Sequence, residues 1–257
     1  MTDTILARKT DHILTVHINR PACKNALTHD MYTALGDALE QASEDSGIRC
    51  VLFAGSEDCF TSGNDLADFA KGLPGDFQDT PVGRFLFLLT SASKPVVAAV
   101  NGPAIGIGTT MLLHCDMVFA GDNARFQMPF ASLGLCPEGG SSLLLPSWIG
   151  RARAAELLML GGAFDAEDAS RLGLINRVCA PNETEALAMT ACQQLAAQPP
   201  AAIRATKELL NRPTREQLRD TLLAEGEAFD KRLKSPEAAE AFQAFMEKRK
   251  PDYSCFE

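Results

Sequence analysis

The chain has no excess of positive charge: over 257 residues, 24 Lys and Arg face 33 Asp and Glu, a formal net charge of -9. Sequence-independent nucleic-acid binding needs clustered cations that release counterions from phosphates, so this balance argues against it. It argues equally against an anionic membrane surface. No apolar run reaches the ~18 residues that a membrane span needs. The start, Met1-Thr2-Asp3-Thr4, has no basic stretch followed by an apolar one, and so does not read as a secretory leader. At the other end, Ser254-Cys255-Phe256-Glu257 is not a peroxisomal address, and Cys255 stands one residue too close to the end for prenylation. The expectation is a soluble, cytoplasmic protein. Its 8 cysteines include no C-x-x-C pair and no neighbouring His at ligand spacing, so they read as reduced thiols. None of the four histidines (His12, His17, His29 and His114) has an evident ligand partner, and no metal site is expected. What these absences leave open is a small anionic ligand held by a few local cations and backbone N–H groups.

What is present is an ordinary globular composition, 46% hydrophobic and 22% charged, at a length that allows one or two domains. The first half alternates strand and helix signals. Ile13 to Ile18 is β-rich, and Thr28 reads as the N-cap of an amphipathic helix running to about Ser43. Arg49 to Ala54 is a short apolar strand, Phe85 to Leu89 lies in an apolar helix, and Val96 to Val100 is a second strand. The glycine-rich turn Asn101 to Gly108 opens a helix through His114. The strand Met117 to Ala120 and the segment Arg125 to Leu135 come next. Such alternation predicts an α/β sheet with right-handed crossovers. From Glu183 onward the pattern is helical: 183–197, 201–211, 215–233 and 236–249. A helical tail after an α/β core is either a lid or an oligomerisation element.

Three segments could carry chemistry. Gly102-Pro103-Ala104-Ile105-Gly106-Ile107-Gly108 follows a strand and opens a helix, so the N–H groups near Ile107 and Gly108 should point outward as an anion or oxyanion site. A dinucleotide fingerprint is a poor match, because Met111 stands where its third glycine belongs. The glycines could equally serve close packing alone. In Phe60-Thr61-Ser62-Gly63-Asn64-Asp65-Leu66, Gly63 can aim the next N–H at a ligand and Asp65 can cap the following helix. Two outward donors on separate loops are the minimal oxyanion hole. In Pro137-Glu138-Gly139-Gly140-Ser141-Ser142, the glutamate has two readings. An apolar setting would raise its pKa and suit it to proton transfer, whereas a helix first turn would lower it.

Taken together, these segments resemble the crotonase (enoyl-CoA hydratase/isomerase) superfamily. The resemblance runs through Asn19-Arg20-Pro21, Asn25-Ala26-Leu27, Ser62 to Leu66, Lys94-Pro95, Asn101 to Ala104, Cys115-Asp116, Phe126, Gly139-Gly140, Ala166 to Gly173 and Glu247-Lys248-Arg249. It implies an α/β fold with a spiral core of ββα repeats over 1–195 and a C-terminal helical trimerisation region over 196–257. It also implies an acyl-CoA thioester substrate, CoA being part of the substrate and no separate cofactor. A homotrimer or a hexamer built as a dimer of trimers is the implied assembly. The family's oxyanion donors fall on the N–H groups of Asn64 and Ile107. Its CoA contacts fall along Ala22, Cys23, Lys24 and Ala26 and along Thr61, Ser62, Gly63, Asp65 and Leu66, with Gly106 beside the second donor. Lys24 is a plausible phosphate contact.

The two glutamates of the family's hydratases correspond here to Thr110 and Phe130, neither of which carries a proton as a carboxylate does. Glu138 remains, in a loop that resembles the peroxisomal-type Δ3,Δ2-enoyl-CoA isomerases. The implied activity is a shift of a 3-enoyl-CoA double bond to the 2-position, as in fatty-acid β-oxidation, with Glu138 as the single proton carrier. Alternatives are a ring-opening or isomerising relative in aromatic-acid degradation, an enoyl-CoA hydratase, or a non-catalytic CoA-binding scaffold. Phe69, Leu73, Phe87 and Phe130 are candidates for the acyl pocket.

Overall fold

The structure, a computed structural model, describes residues 4–56, 58–69 and 75–256, with Leu66 and Phe69 described by their backbone only. The apolar runs read as strands all enter β-sheets. Strands β1 (Ile5–Thr10) and β2 (Ile13–Ile18) pair antiparallel, and β3 (Cys50–Ala54) and β4 (Val96–Val100) follow in parallel. A short β5 (Pro103–Ile105) leaves this sheet, which β6 (Met117–Gly121) continues. With β7 (Arg125–Gln127) and β8 (Phe164–Asp165), β5 forms a second, three-stranded sheet, and β9 (Arg177–Cys179) closes the first. The main order is β1-β2-β3-β4-β6-β9.

The helices before the C-terminal region are α1 (His29–Glu44), α2 (Leu66–Phe69), α3 (Pro81–Thr90), α4 (Ile107–Thr110), α5 (Ser141–Ile149), α6 (Arg151–Ala155) and α7 (Ala166–Arg171). After them come α8 (Thr184–Ala197), α9 (Pro200–Asn211), α10 (Arg215–Leu233) and α11 (Pro236–Met246). No helix among the described residues is long and apolar enough to cross a membrane. Thr28 caps α1 as its sequence predicts, its hydroxyl accepting from Met31 N–H at 3.3 Å.

Strands β3 and β4 are buried along their whole length, because helices cover both faces of the sheet. The period-2 alternation assigns each residue a side. Val51, Phe53, Val96, Ala98 and Val100 join the larger core with α1 and α3, whereas Leu52, Ala54, Val97 and Ala99 pack with Ala188, Cys192 and Ala196 of α8. Helix α9 is tied to this framework by a buried cation. Lys207 Nζ donates to Lys94 O at 3.0 Å and to Asp116 Oδ2 at 2.6 Å, and the same carboxylate accepts Val96 N–H at 2.7 Å.

Lys207→Ala would strand the Asp116 carboxylate at the end of β4. A fully buried pair costs more when broken, but the Asp116 side chain is 26% exposed, so the expected loss is about 2 kcal/mol. Urea denaturation checks this, and Lys207→Met, which keeps the apolar stem, should lose less.

Candidate active site

Three loops lie side by side where the two sheets meet. The buried Asn25 side chain joins the first two, donating to Cys59 O at 2.8 Å and to Phe60 O at 3.2 Å while accepting Arg20 N–H at 2.7 Å. The second loop pairs with β5: Thr61 N–H donates to Pro103 O at 3.0 Å and Ile105 N–H to Thr61 O at 3.0 Å. A short bridge follows, in which Leu27 N–H donates to Gly63 O at 2.8 Å and Asp65 N–H to Leu27 O at 2.9 Å. In that parallel pattern the N–H of Asn64 faces away from Leu27. Gly63 holds φ +92°, and a Cβ there would stand 2.8 Å from the Ile105 carbonyl oxygen, so the close approach of the two loops needs glycine.

On the third loop, Gly106 adopts φ 57° and ψ -119°, which turns the chain sharply from β5 into α4. Ile107 is the first residue of α4, so its N–H has no acceptor within the helix. Its last residue is Thr110, about one turn further on and on the same face. The Thr110 hydroxyl donates to Glu138 Oε1. Glu138 is buried at 9% exposure, and desolvation pushes its pKa up to about 8, against the opposing pull of the Thr110 hydrogen bond. The charge of Glu225 raises it further. Of the two sequence readings, desolvation is the dominant effect, and the helix-terminus reading is corrected for a specific reason. The N–H groups that open α5 are engaged by another carboxylate: Glu225 on α10 accepts Gly140 N–H at 2.6 Å, Ser142 N–H at 2.9 Å and the Ser142 hydroxyl at 2.5 Å.

Tyr32 of α1 completes the enclosure. Its hydroxyl donates to the Asn64 side-chain oxygen, and burial, with the charge of Glu138, holds the phenol well above its usual pKa. His114 lies behind the Glu138 loop, with Nε2 2.7 Å from Gly139 O. Burial lowers its pKa to about 4, so the ring is neutral near pH 7, and the carbonyl partner requires the proton on Nε2. Phe130, expected from sequence at a hydratase glutamate position, is buried against Phe229 of α10, edge-on at 6.4 Å.

The other sequence candidates divide. Ala22 and Lys24 are exposed, and Ala26 and Ser62 are half-buried along the first two loops. The Thr61 side chain is fully buried, donating to Asn25 O at 2.7 Å and accepting Gly63 N–H at 3.1 Å. Asp65 pairs with Arg20 at 2.6 Å and accepts from Ala67 and Asp68 N–H at 3.1 Å each, as the predicted cap of α2. Both side chains therefore hold the loops together. The backbone of Leu66 begins α2. Of the acyl-pocket candidates, Phe87 stacks at a tilt with Phe77, Phe69 is described by its backbone only, and Leu73 lies outside the described residues. Sequence reasoning missed Tyr32, His114 and Glu225. Glu225 had left a signal: it stands on the apolar stripe Leu218, Leu222, Phe229 of α10, where a carboxylate is out of place.

The family model described as Enoyl-CoA hydratase/isomerase matches residues 8–255, and the chain belongs to that family. Its fold is the crotonase fold, shared with solved structures such as that of Pseudomonas aeruginosa OdaA. That similarity has 47% identity and a TM-score of 0.93 over 95% of this chain and 99% of that one. The chain is also similar to the Homo sapiens protein named Enoyl-CoA delta isomerase 2, at 34% identity over 253 residues. This match covers 96% of the chain but 64% of the relative, so the chain spans about two-thirds of that protein's length. A third similarity is to 1,2-epoxyphenylacetyl-CoA isomerase of Escherichia coli (strain K12), 35% identical over 263 residues and 99% of each chain.

The raised Glu138 pKa couples to stability with a definite sign. Unfolded, the carboxyl titrates near 4.5; folded, near 8. The folded state holds the extra proton between these values, so stability present below the lower one is lost as pH rises through the window. Glu138→Gln removes that loss. Between about pH 5 and pH 9, urea denaturation should show the variant gaining on the order of 4 kcal/mol relative to wild type.

Proposed function

We propose that the protein is a Δ3,Δ2-enoyl-CoA isomerase in which Glu138 is the sole proton carrier. The observation that carries this reading is the buried Glu138 carboxyl, its pKa raised to about 8, contacting Thr110 of the helix that Ile107 opens. The substrate is a 3-enoyl-CoA whose thioester carbonyl accepts from the N–H groups of Asn64 and Ile107. Ionised Glu138 removes a C2 proton, leaving a dienolate with its charge on the thioester oxygen. The protonated carboxyl then returns the proton to C4, and the double bond moves into conjugation. One base suffices because C2 and C4 present the same face of the planar dienolate. Each oxyanion donor is worth ~2.7–4 kcal/mol in systems where one has been removed. Backbone donation leaves the side chains of Asn64 and Ile107 for other tasks, and Asn64 uses its own to receive Tyr32.

Thr110 and Phe130 support isomerisation over hydration, since adding water across a double bond is best served by two carboxylates gripping one water. A second reading, isomerisation of another acyl-CoA such as an epoxide, draws on the Escherichia coli relative named for that reaction. Ala22, Lys24, Ala26 and Ser62 would line the CoA portion of the substrate. We place a homotrimer or dimer of trimers on residues 196–257, supported by the exposed Leu209, Leu210, Phe245 and Met246 of α9 and α11. Analytical ultracentrifugation should give a mass three or six times that of the chain.

Supplied with 3-hexenoyl-CoA, wild type should produce the conjugated 2-enoyl-CoA, followed by its absorbance. Glu138→Gln should be slower by about 100- to 10,000-fold. Because the base must be ionised, kcat/KM should rise with pH and level off above about 8. Equal turnover by the variant would exclude the single-base mechanism. Efficient hydration of crotonyl-CoA would exclude the assignment of Thr110 and Phe130 to the hydratase positions.

A further inference from the structure

We propose that Glu225, on the C-terminal helix α10, is a positioning residue for Glu138: it occupies the amides that open α5 and leaves the Glu138 carboxyl the Thr110 hydroxyl as its hydrogen-bond partner. Three donors converge on Glu225, two of them backbone N–H groups that can only donate. A carboxyl facing three donors accepts at both oxygens, and these hydrogen bonds favour its ionised form against the burial that raises its pKa above the ordinary carboxylate value. Glu138 lies two residues before Gly140 in the same turn. Without Glu225, the Gly140 N–H and the positive end of α5 would be open to it, and either would favour its charged form. With Glu225 in place, the helix terminus is already neutralised and a second negative charge stands nearby.

The groups facing the pair come from every neighbouring element. Glu138 contacts Thr110 of α4, and its charge is felt by the Tyr32 phenol of α1 and by Cys136 of its own loop. Behind the loop, the neutral His114 ring binds Gly139 O. Glu225 faces Ser142 and Cys136, and Arg232 of α10 is directed to Gly134 O at 3.0 Å and to Glu237 at 2.9 Å. No ion pair to Glu138 or Glu225 occurs among the described residues. The charge on Glu225 is therefore stabilised by dipoles, and it acts on Glu138 without a compensating cation between them.

The test titrates the Glu138 carboxyl directly by infrared difference spectroscopy, its band assigned by loss in Glu138→Gln. In Glu225→Gln, which keeps the shape and one acceptor oxygen, the Glu138 midpoint should fall by roughly half a pH unit or more. Glu225→Asp, which keeps the charge, should restore it towards wild type. An unchanged midpoint in folded Glu225→Gln overturns the proposal. Should that variant fail to fold, the wild type carries the test, with the Glu225 band assigned by its displacement in Glu225→Asp. Glu225 must then be ionised at pH values where Glu138 still holds its proton, and the reverse order overturns the proposal. The kinetic consequence, a kcat/KM limb displaced to lower pH in Glu225→Gln, rests on the isomerase reading. The infrared result does not, so absent turnover with a shifted midpoint would reject that reading and leave Glu225 its role.

Discussion

A carboxyl group buried without a cation is the constraint on which the site depends. Glu138 in water would be fully ionised at neutral pH; enclosed by Thr110, Tyr32 and the glycines that follow it, it holds its proton to about pH 8. Such an environment has to be built against its own cost, since removing a charge from water is unfavourable unless partners replace the lost solvation. The surrounding structure meets that cost by fixing the loop from outside. His114 holds the Gly139 carbonyl, Glu225 holds Gly140 and Ser142, and the Ser141 hydroxyl returns to Glu138 O at 2.6 Å. The loop cannot relax to solvate its own carboxylate without breaking these contacts.

The same economy of charge appears in the backbone. The chain carries nine more acids than bases, yet the positions that would meet an anionic oxygen are amides of a loop and of a helix start. An amide needs no countercharge and is aimed by its neighbours' geometry. Here that aim comes from Asn25, Thr61 and Gly63, whose buried contacts lock the second loop between the first loop and β5. Global charge argues against nucleic acid and anionic membrane surfaces but says nothing about a small ligand.

The C-terminal helices have a broader part than a tail. Helix α10 puts Leu218 beside Gly140, Glu225 on the α5 terminus and Phe229 against Phe130. An element expected to serve assembly thus also holds the turn that follows Glu138. Helices α9 and α11 keep large apolar side chains outside the chain's own core.

Much of this was legible in the residues themselves. Strands such as 13–18 and 96–100, the Thr28 cap and the helix 215–233 follow from local pattern, because apolar periodicity and capping act over a few residues. Strand β1 is largely exposed, and β5, β7 and β8 have two or three residues each, too few for a period to register. Glu138 stood out by its loop, but its sequence fitted both a raised and a lowered pKa. That choice belonged to the tertiary structure, since it turned on whether the amides opening α5 were open to Glu138 or taken by Glu225, a residue 85 positions away at Gly140. Local sequence determines which atoms can donate or accept. Which of them meet, and how much water remains between them, is decided when distant segments pack.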